Sequence, residues 1–447
     1  MSKAFAISII QTLRQHGFQA YLAGGCVRDL LLNREPADFD VATSATPGQV
    51  MEIFPDTYAV GAQFGVVLVP LPEAERDGEV LSKRQAIEVA TFRSDHGYSD
   101  GRHPDEVRFS KDPQADVARR DLTINGMMLD PVNGEVLDYV GGRADLEAGV
   151  IRAIGEPEQR FTEDKLRMLR AVRFASRFEY EIEEKTWAAI QRLAPEISAV
   201  SRERVRDEVT KMLTEGHARR AFLLLDQTGL LKEVLPEISR MKGVEQPAAF
   251  HPEGDVFTHT LIALEYLPHP CSATLAWGTL LHDVGKPATF RVAPDRIRFD
   301  NHVAVGVKIA EEICSRLRFS RHDTEQVLAL IDNHMRFGHV SRMKESTLKR
   351  FMRLPGFEEH LALHRADSLA SHGILTTYEF LQERLKETPV EDFRPLRLIT
   401  GDDLVAAGYA PGPRFSEILG AVEDGQLEGH LTSRKAAMEF VERKFPH

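Results

Sequence analysis

The first 18 residues place Phe5, Ile7, Ile9, Ile10 and Leu13 near helical spacing, so a helix opens the chain. The pattern then shortens. Tyr21, Leu22 and Ala23 form a brief apolar run that stops at Gly24-Gly25. A helix-like stretch with Arg28 and Asp29 follows, and Asp38-Phe39-Asp40 leads into Val41 and Ala42. This predicts strand, glycine turn, helix and strand. Residues 57–70 (TYAVGAQFGVVLVP) alternate as a strand, 71–84 are charged and read as a hairpin loop, and 85–92 (QAIEVATF) are again β-rich. Residues 94–113 carry Gly, Asp and His with little periodicity and predict a mobile loop. Residues 116–128 read as a helix bearing Arg119, Arg120, Asp121 and Asn125. Residues 136–139, then Gly141-Gly142, close this first region.

Beyond about residue 144 the strand signals fade. Residues 163–240 read as consecutive helices, 241–254 as a Pro- and Gly-containing boundary, and 255–380 as helical and histidine-rich. The remainder is mixed, with a break at Ala410-Pro411-Gly412-Pro413. The expected division is 1–145, 146–240, 241–375 and 376–447. With 447 residues, the chain exceeds one ordinary core. No internal repeat or low-complexity tract is seen.

Composition narrows the class. The chain is 43% hydrophobic and 28% charged, a globular balance without a run of about 18 apolar residues, so no membrane span is expected. The amphipathic start lacks a cleavable signal's apolar block, which predicts a cytoplasmic protein. Cys26, Cys271 and Cys314 match no disulfide or zinc spacing. A net charge of −12 argues against a general nucleic-acid binder but leaves room for a local basic stripe.

Asp38 and Asp40 are two apart, so on a strand they share a face. Two such carboxylates suit divalent metals that keep substrate phosphates in their shell. Gly24-Gly25 lets backbone approach a phosphate, and Arg28 can grip it. Glu163, Asp164, Arg167, Arg170 and Arg173 follow helical spacing, with Asp164 and Arg167 as i,i+3 neighbours. A carboxylate beside a guanidinium can read the edge of a base, one accepting and the other donating. Arg202, Arg204, Arg206, Lys211, Arg219 and Arg220 form a basic stretch that can track RNA or be a solvated face. Arg342, Lys344, Lys349, Arg350 and Arg353 have the same status.

GGCVRD, DFDVAT, EVATFR, RRDLTIN and EDKLRMLRAVRF, in this order, resemble the class II tRNA nucleotidyltransferase and bacterial poly(A) polymerase family across about residues 15–235. The resemblance implies an α+β fold: a polymerase-β-like nucleotidyltransferase head with a small sheet, then an all-α neck and body. It implies Mg2+ at the Asp38 and Asp40 positions. It places Gly25, Arg28, Arg120, Asp121, Arg170 and Arg173 around the nucleotide, and gives base selection without a template to Asp164 and Arg167. Glu88 is a candidate third carboxylate, or else a structural strand-end residue.

A second set of residues lies downstream. His259, His282-Asp283 and Asp367 stand in DVFTHT, LLHDVGKP and HRADSLAS, with His302, His334 and His364 between or beside them. Imidazole with carboxylate suits Ni, Mn, Fe or Zn. The pattern resembles the HD phosphohydrolase superfamily over about residues 250–370. That implies metal binding by His259, His282, Asp283 and Asp367, a second site completed by His302 and His334, and a cation near phosphate at Gly285-Lys286. Fused to a nucleotidyltransferase, it implies phosphatase or cyclic phosphodiesterase activity on RNA ends.

The expected function is addition of C, C and A to the tRNA 3′ end from CTP and ATP with Mg2+, with no DNA or membrane partner. Enzymes of the same architecture that add only A, only CC or poly(A) share these motifs. The competitor from another class is a metal phosphohydrolase whose N-terminal half only binds RNA. Nucleotide choice is expected to depend on how residues 94–113 set Asp164 and Arg167.

Overall fold

The computed structural model describes residues 3–59, 61–72, 85–98, 101, 104–247, 251, 252 and 254–446. Most of the charged segment 71–84 lies outside the described residues. The chain divides into two compact units, Met1–Pro236 and Glu237–His447.

The first unit is built on β1 (Ala20–Ala23), β2 (Asp40–Thr43), β3 (Val66–Pro70), β4 (Ala86–Thr91), a separate hairpin β5 (Arg93–His96) and β6 (Glu106–Phe109), β7 (Met127–Leu129) and β8 (Val136–Asp138). Six of these form one sheet in the order β3-β4-β2-β1-β7-β8. Every neighbouring pair in it is antiparallel except β2 with β4, which is parallel. Helix α1 (Lys3–Gln15) turns Ala6, Ile9, Ile10 and Leu13 into the core beside β1 and β2. The short helix α2 (Gly25–Leu31) joins β1 to β2, and α3 (Pro47–Ile53) packs beside β3 and β4.

Three sequence expectations change here. Residues 57–70 do not form one strand: Gly61 and Gly65 take φ of +93° and +83°, and the chain folds back so that Tyr58 bridges Leu68. Residues 94–113 are not simply a loop, since β5 pairs with β6 and α4 (Pro113–Ala118) follows. Most of β6 is exposed, so this hairpin builds no apolar face and leaves no alternating pattern to read. Residues 116–128 are not one helix. α4 ends at Ala118, Thr123–Asn125 is a short 3-10 turn, and β7 begins at Met127. The Asp116 pairs with Arg119 and Arg120, at 2.6 and 2.9 Å, keep helical spacing; what draws the chain out of the helix is Leu122, which bridges the distant Ala153.

Helices then dominate: α5 (Gly142–Ala148), α6 (Pro157–Glu163), α7 (Leu166–Phe178), α8 (Glu184–Leu193), α9 (Arg202–Thr214) and α10 (Ala218–Gln227). A two-residue parallel pair, β9 (Val150–Ile151) with β10 (Glu181–Ile182), is too short to leave a sequence signal. α7 is buried along most of its length and packs on α6, α9 and α10.

In the second unit the helices Val256–Glu265, Ala273–Leu281, His302–Arg316, Arg321–Asn333 and Phe357–Ala370 pack together. A hairpin of Phe290–Val292 with Ile297–Phe299 interrupts the expected helical run. One further core centres on Phe337, Phe351 and Phe357, and another on Leu404, Ile418 and Val441. Among the described residues, no helix is long and apolar enough to cross a membrane.

Gly142 holds the Thr123 turn. A Cβ there would lie 2.1 Å from the Thr123 carbonyl oxygen and 2.9 Å from its carbon. Gly142→Ala is expected to lower stability by about 1–3 kcal/mol through overpacking, read as a lower urea midpoint at unchanged m-value.

Candidate functional site

A cavity of about 560 Å³ opens where β1, β2 and β4 meet α2, α7 and α9. In β2 and β4, Asp40 is level with Glu88, and Ala23 is level with Asp40 on the other side. Paired positions project to the same face, so the two carboxylates stand side by side. Asp38 lies two residues upstream, exposed, before β2 begins and not on the strand itself. Burial, then Glu88 and Asp38, push the Asp40 carboxyl up to about 7, with Arg120 pulling the other way. A carboxylate held at such a cost beside two others is a donor set for a hard divalent cation.

The glycine turn has a steric reason. Gly24 sits at φ +76°, and a Cβ on it would come within 2.9 Å of an Arg120 guanidinium nitrogen. Arg28 is buried: it donates to Asp29 at 2.7 Å and to Asn125 at 2.6 Å, and stacks over Phe174 and Phe178. Asp121 accepts from Arg170 at 2.7 Å and from the Leu122 N–H at 2.8 Å. Burial alone would raise its carboxyl, but Arg170 and Arg167 hold it below the usual carboxylate range. Arg173 is buried, and its Nε donates to Glu208 at 2.7 Å. Gly25, Arg28, Asp40, Glu88, Arg120, Asp121, Asp164, Arg167, Arg170 and Arg173 all line this one cavity.

The helix expected to carry residues 163–173 is in fact two. α6 ends at Glu163, Asp164 is extended (φ −147°, ψ 103°), and α7 starts at Leu166. The Asp164 and Arg167 side chains are therefore not paired with each other, although the Arg167 N–H donates to the Asp164 carbonyl at 3.0 Å. Arg167 bonds Glu163 at 2.8 Å and the Arg119 carbonyl at 3.0 Å. Asp164 is held instead by Arg204 of α9, at 2.7 and 3.1 Å. Arg204 belongs to the stretch whose spacing suggested an RNA-facing stripe. Only the packing of α7 on α9 turns it inward, and no local signal separates it from Arg202 or Arg206. Among the described residues, nine arginines line the cavity (Arg28, Arg93, Arg119, Arg120, Arg167, Arg170, Arg173, Arg177, Arg204) against four carboxylates. The wall is basic in a chain of net charge −12. In the more C-terminal basic stretch, Arg350 and Arg353 each pair with Glu423 at 2.7 Å.

The second unit brings six predicted residues together. His259, His282 and Asp367 form one group and Asp283, His302 and His334 another, each with its donor atoms within 4.8 Å. His282, His302 and His334 bond their Nδ1 atoms to the carbonyls of Thr279, Phe299 and Ile331, three residues earlier, at 2.7, 2.9 and 2.6 Å. That bond fixes the tautomer and turns each Nε2 lone pair inward. The His302 and His334 Nε2 atoms stand 3.7 and 3.9 Å from Asp283 Oδ1. His282 Nε2 is 3.2 Å from Asp283 Oδ2. Burial, then neighbouring His282, lowers the His334 imidazole to about 4, so it is neutral at pH 7. Lys286 meets Asp283 at 2.7 Å and Gln246 at 2.7 Å. His364 is not part of the cluster and stacks on Phe337.

Three family models match the chain: the poly A polymerase head domain over residues 20–152, the probable RNA and SrmB-binding site of polymerase A over 179–242, and the HD domain over 256–370. The CCA-adding enzyme of Bacillus pumilus is 42% identical over 437 residues, 97% of this chain and 95% of that protein. That of Lactobacillus gasseri is 39% identical over 443 residues, 98% and 96% of the two. The crystal structure of the Bacillus stearothermophilus CCA-adding enzyme in complex with CTP superposes with a TM-score of 0.74 at 28% identity, covering 99% of this chain and 98% of that one.

Two outcomes are expected. The raised Asp40 pKa means the folded metal-free protein binds a proton that the unfolded chain releases from about pH 4 upward, so this group lowers stability as pH rises from about 4 to about 7. Asp40→Asn should raise the melting temperature of the metal-free protein at pH 8, with a gain that shrinks towards pH 4, as thermal melts across that range will show. Metal binding to the second unit, followed by equilibrium dialysis with Ni2+ or Mn2+, should fall on His282→Ala, and His334→Ala should remove the ion held by the Asp283 group.

Proposed function

The chain belongs to the CCA-adding enzyme family, and we propose that it adds C, C and A to the 3′ end of tRNA, taking CTP and ATP as substrates. The observation that carries this reading is one basic cavity lined by Asp40 and Glu88 on one wall and by Asp164 and Arg167 on another. The near-full-length relatives of this name, and the similar enzyme that holds CTP, support it.

Asp38 and Asp40, with Glu88 beside them, would hold Mg2+, which when bound supplies charge stabilisation for the attacking hydroxyl and the departing pyrophosphate. The bare backbone of Gly24-Gly25 leaves room for the triphosphate, and Arg120 faces that turn with its guanidinium. Arg28 is spent on Asp29 and Asn125, so its part is to shape the phosphate wall as well as to charge it. Asp121, ionised by Arg170, offers an acceptor to the sugar. Asp164 accepts from the amino group of the base and Arg167 donates. Positioning and charge thus do the work, and no side chain is needed as a nucleophile. We assign residues 1–145 to the nucleotidyltransferase head, 146–240 to base selection and RNA contact, 241–375 to the HD part and 376–447 to a tail.

The converging imidazoles of the HD part favour a second activity, hydrolysis of phosphate esters at RNA ends by phosphatase or cyclic phosphodiesterase chemistry. Ni, Mn or Fe fits its nitrogen and oxygen donors. Lys286, held on Asp283, offsets the negative charge of that carboxylate.

The decisive assay supplies CTP or ATP separately to tRNAs ending at the discriminator base, at -C and at -CC. Two C and then one A are expected. Addition of A alone, of CC alone or of a long A tract assigns the chain to one of the narrower enzymes. Asp38→Ala is expected to cut incorporation by roughly three orders of magnitude while leaving phosphate-ester hydrolysis unchanged. Incorporation that survives it means the head does not polymerise.

A further inference from the structure

Asp283, His302, His334 and Asp367 border a cavity of about 320 Å³ in the second unit, near the lower end of the range for small-ligand sites. The facing wall is the strand Ile297–Phe299 with its flanking residues, and positions 296–300 all line the cavity. Among the described residues this strand pairs only with Phe290–Val292, so one of its edges is open. The hairpin is tied to the ligand cluster at two points. The Phe299 carbonyl accepts from His302 Nδ1 at 2.9 Å, and the Lys286 ammonium, which holds Asp283, lies 5.4 Å from the centre of the Phe299 ring.

This wall carries a chemistry that a phosphate ester alone does not call for. Phe290 pairs with Phe299 and Val292 with Ile297, which puts four apolar side chains on one face of a two-stranded hairpin. Phe290 is 41% exposed and Val292 71%. An aromatic face left open beside a polar cluster offers a stacking surface to a flat heterocycle. The cations of the wall are arginines. Lys286 is engaged by Asp283 and by Gln246, both at 2.7 Å, and Asp300 is paired with Arg291 at 2.6 Å. Arg296 is half exposed, with Asp295 4.0 Å away. Arg298 donates to Asp295 at 2.8 Å, while its Nε is buried without a hydrogen-bond partner. The positive charge left on this side of the cavity therefore belongs to Arg296 and to the open side of Arg298.

We propose that this hairpin is the nucleotide-recognition wall of the HD part. Phe299 takes the base of a nucleoside whose 2′ or 3′ oxygen carries the phosphate, and Arg296 and Arg298 take the preceding backbone phosphate when that nucleoside ends an RNA chain. This deepens the reading of the HD part as a phosphate-ester hydrolase and rests on it. With a 2′,3′-cyclic phosphate, water adds across one P–O bond and the freed ribose oxygen takes up the proton. The hairpin has no part in that step; it selects which ester is presented to the ligand cluster. A free nucleotide offers the same base and phosphate as an RNA end, and the test separates the two.

The full chain, supplied with Ni2+ or Mn2+, is assayed for kcat/KM on three esters: an oligoribonucleotide ending in cytidine 2′,3′-cyclic phosphate, that cyclic nucleotide alone, and methyl riboside 2′,3′-cyclic phosphate, which has no base. The wild type should favour the cytidine ester over the base-free one by about 10- to 100-fold, and Phe299→Ala should remove most of that ratio, mainly through KM. A preference for the oligoribonucleotide over the free cyclic nucleotide, reduced in Arg296→Ala and Arg298→Ala, assigns the site to RNA ends; equal rates on the two assign it to free nucleotides. If the alanine variant at 299 does not fold, shown by circular dichroism, Phe299→Leu keeps the bulk without the ring and carries the same comparison. A second readout needs no metal. In EDTA, emission from Phe299→Trp, measured against the wild type with its own Trp187 and Trp277, should be quenched by the cytidine ester and not by the base-free one. Wild-type ratios in the Phe299 variants, equal slowing on all three esters, or absence of quenching overturns the proposal. A wild-type protein that hydrolyses none of the three overturns the underlying reading of the HD part instead, and is recognised before any variant is made.

Discussion

Parallel pairing of β2 with β4, in a sheet otherwise antiparallel, puts Asp40 and Glu88 level on adjacent strands and on the same face. Asp38 adds a third negative charge from the approach to β2. These carboxylates repel one another, and burial of Asp40 raises the cost. Two kinds of positive charge can offset that: an arginine from the protein, or a metal ion. Arg120 supplies part of the first, and the space left around Gly24 keeps the rest open for the second. The glycine turn leaves room for that guanidinium, and buried Asp116 holds both Arg119 and Arg120.

The opposite wall of the cavity meets the complementary problem. Many guanidiniums face one volume, and each needs a partner that does not neutralise the whole site. The solution is specific pairing: Arg170 on Asp121, Arg173 on Glu208, Arg167 on Glu163, Arg204 on Asp164. Such pairs contribute little net stability after desolvation, but they fix the direction of each group. Direction is what a protein needs if it is to read a base without a template strand. The net positive wall that remains also explains how a chain of charge −12 can hold a triphosphate.

In the second unit direction is set by a different device. His282, His302 and His334 each bond Nδ1 to a carbonyl one turn earlier in the chain, so three rings from three segments present the same nitrogen inward. Asp283 faces His282 with one oxygen and His302 and His334 with the other. A carboxylate shared in this way links the two groups of candidate metal-binding residues.

How much of this was legible depended on whether the information was local. The glycine turn, the Asp38-Phe39-Asp40 run and the His282-Asp283 pair are short motifs whose chemistry lies in neighbouring residues, and the sequence marked each of them. The amphipathic spacing of α1 likewise reported its buried face. Tertiary structure decided the rest. The strand expected over 57–70 was broken by left-handed glycines, and the helix expected over 116–128 by the bridge of Leu122 to the distant Ala153, features that periodicity does not record. The β5–β6 hairpin left no alternation because it covers no core. Above all, Asp164 and Arg167, neighbours by spacing, took different partners because the chain breaks between α6 and α7. Arg204 joined them from about forty residues away because α9 packs on α7. Residue types and short spacings determined which chemistry the chain contains. The packing of distant helices decided which arginine holds which carboxylate, since long-range charge pairing depends on three-dimensional distance and not on separation along the chain.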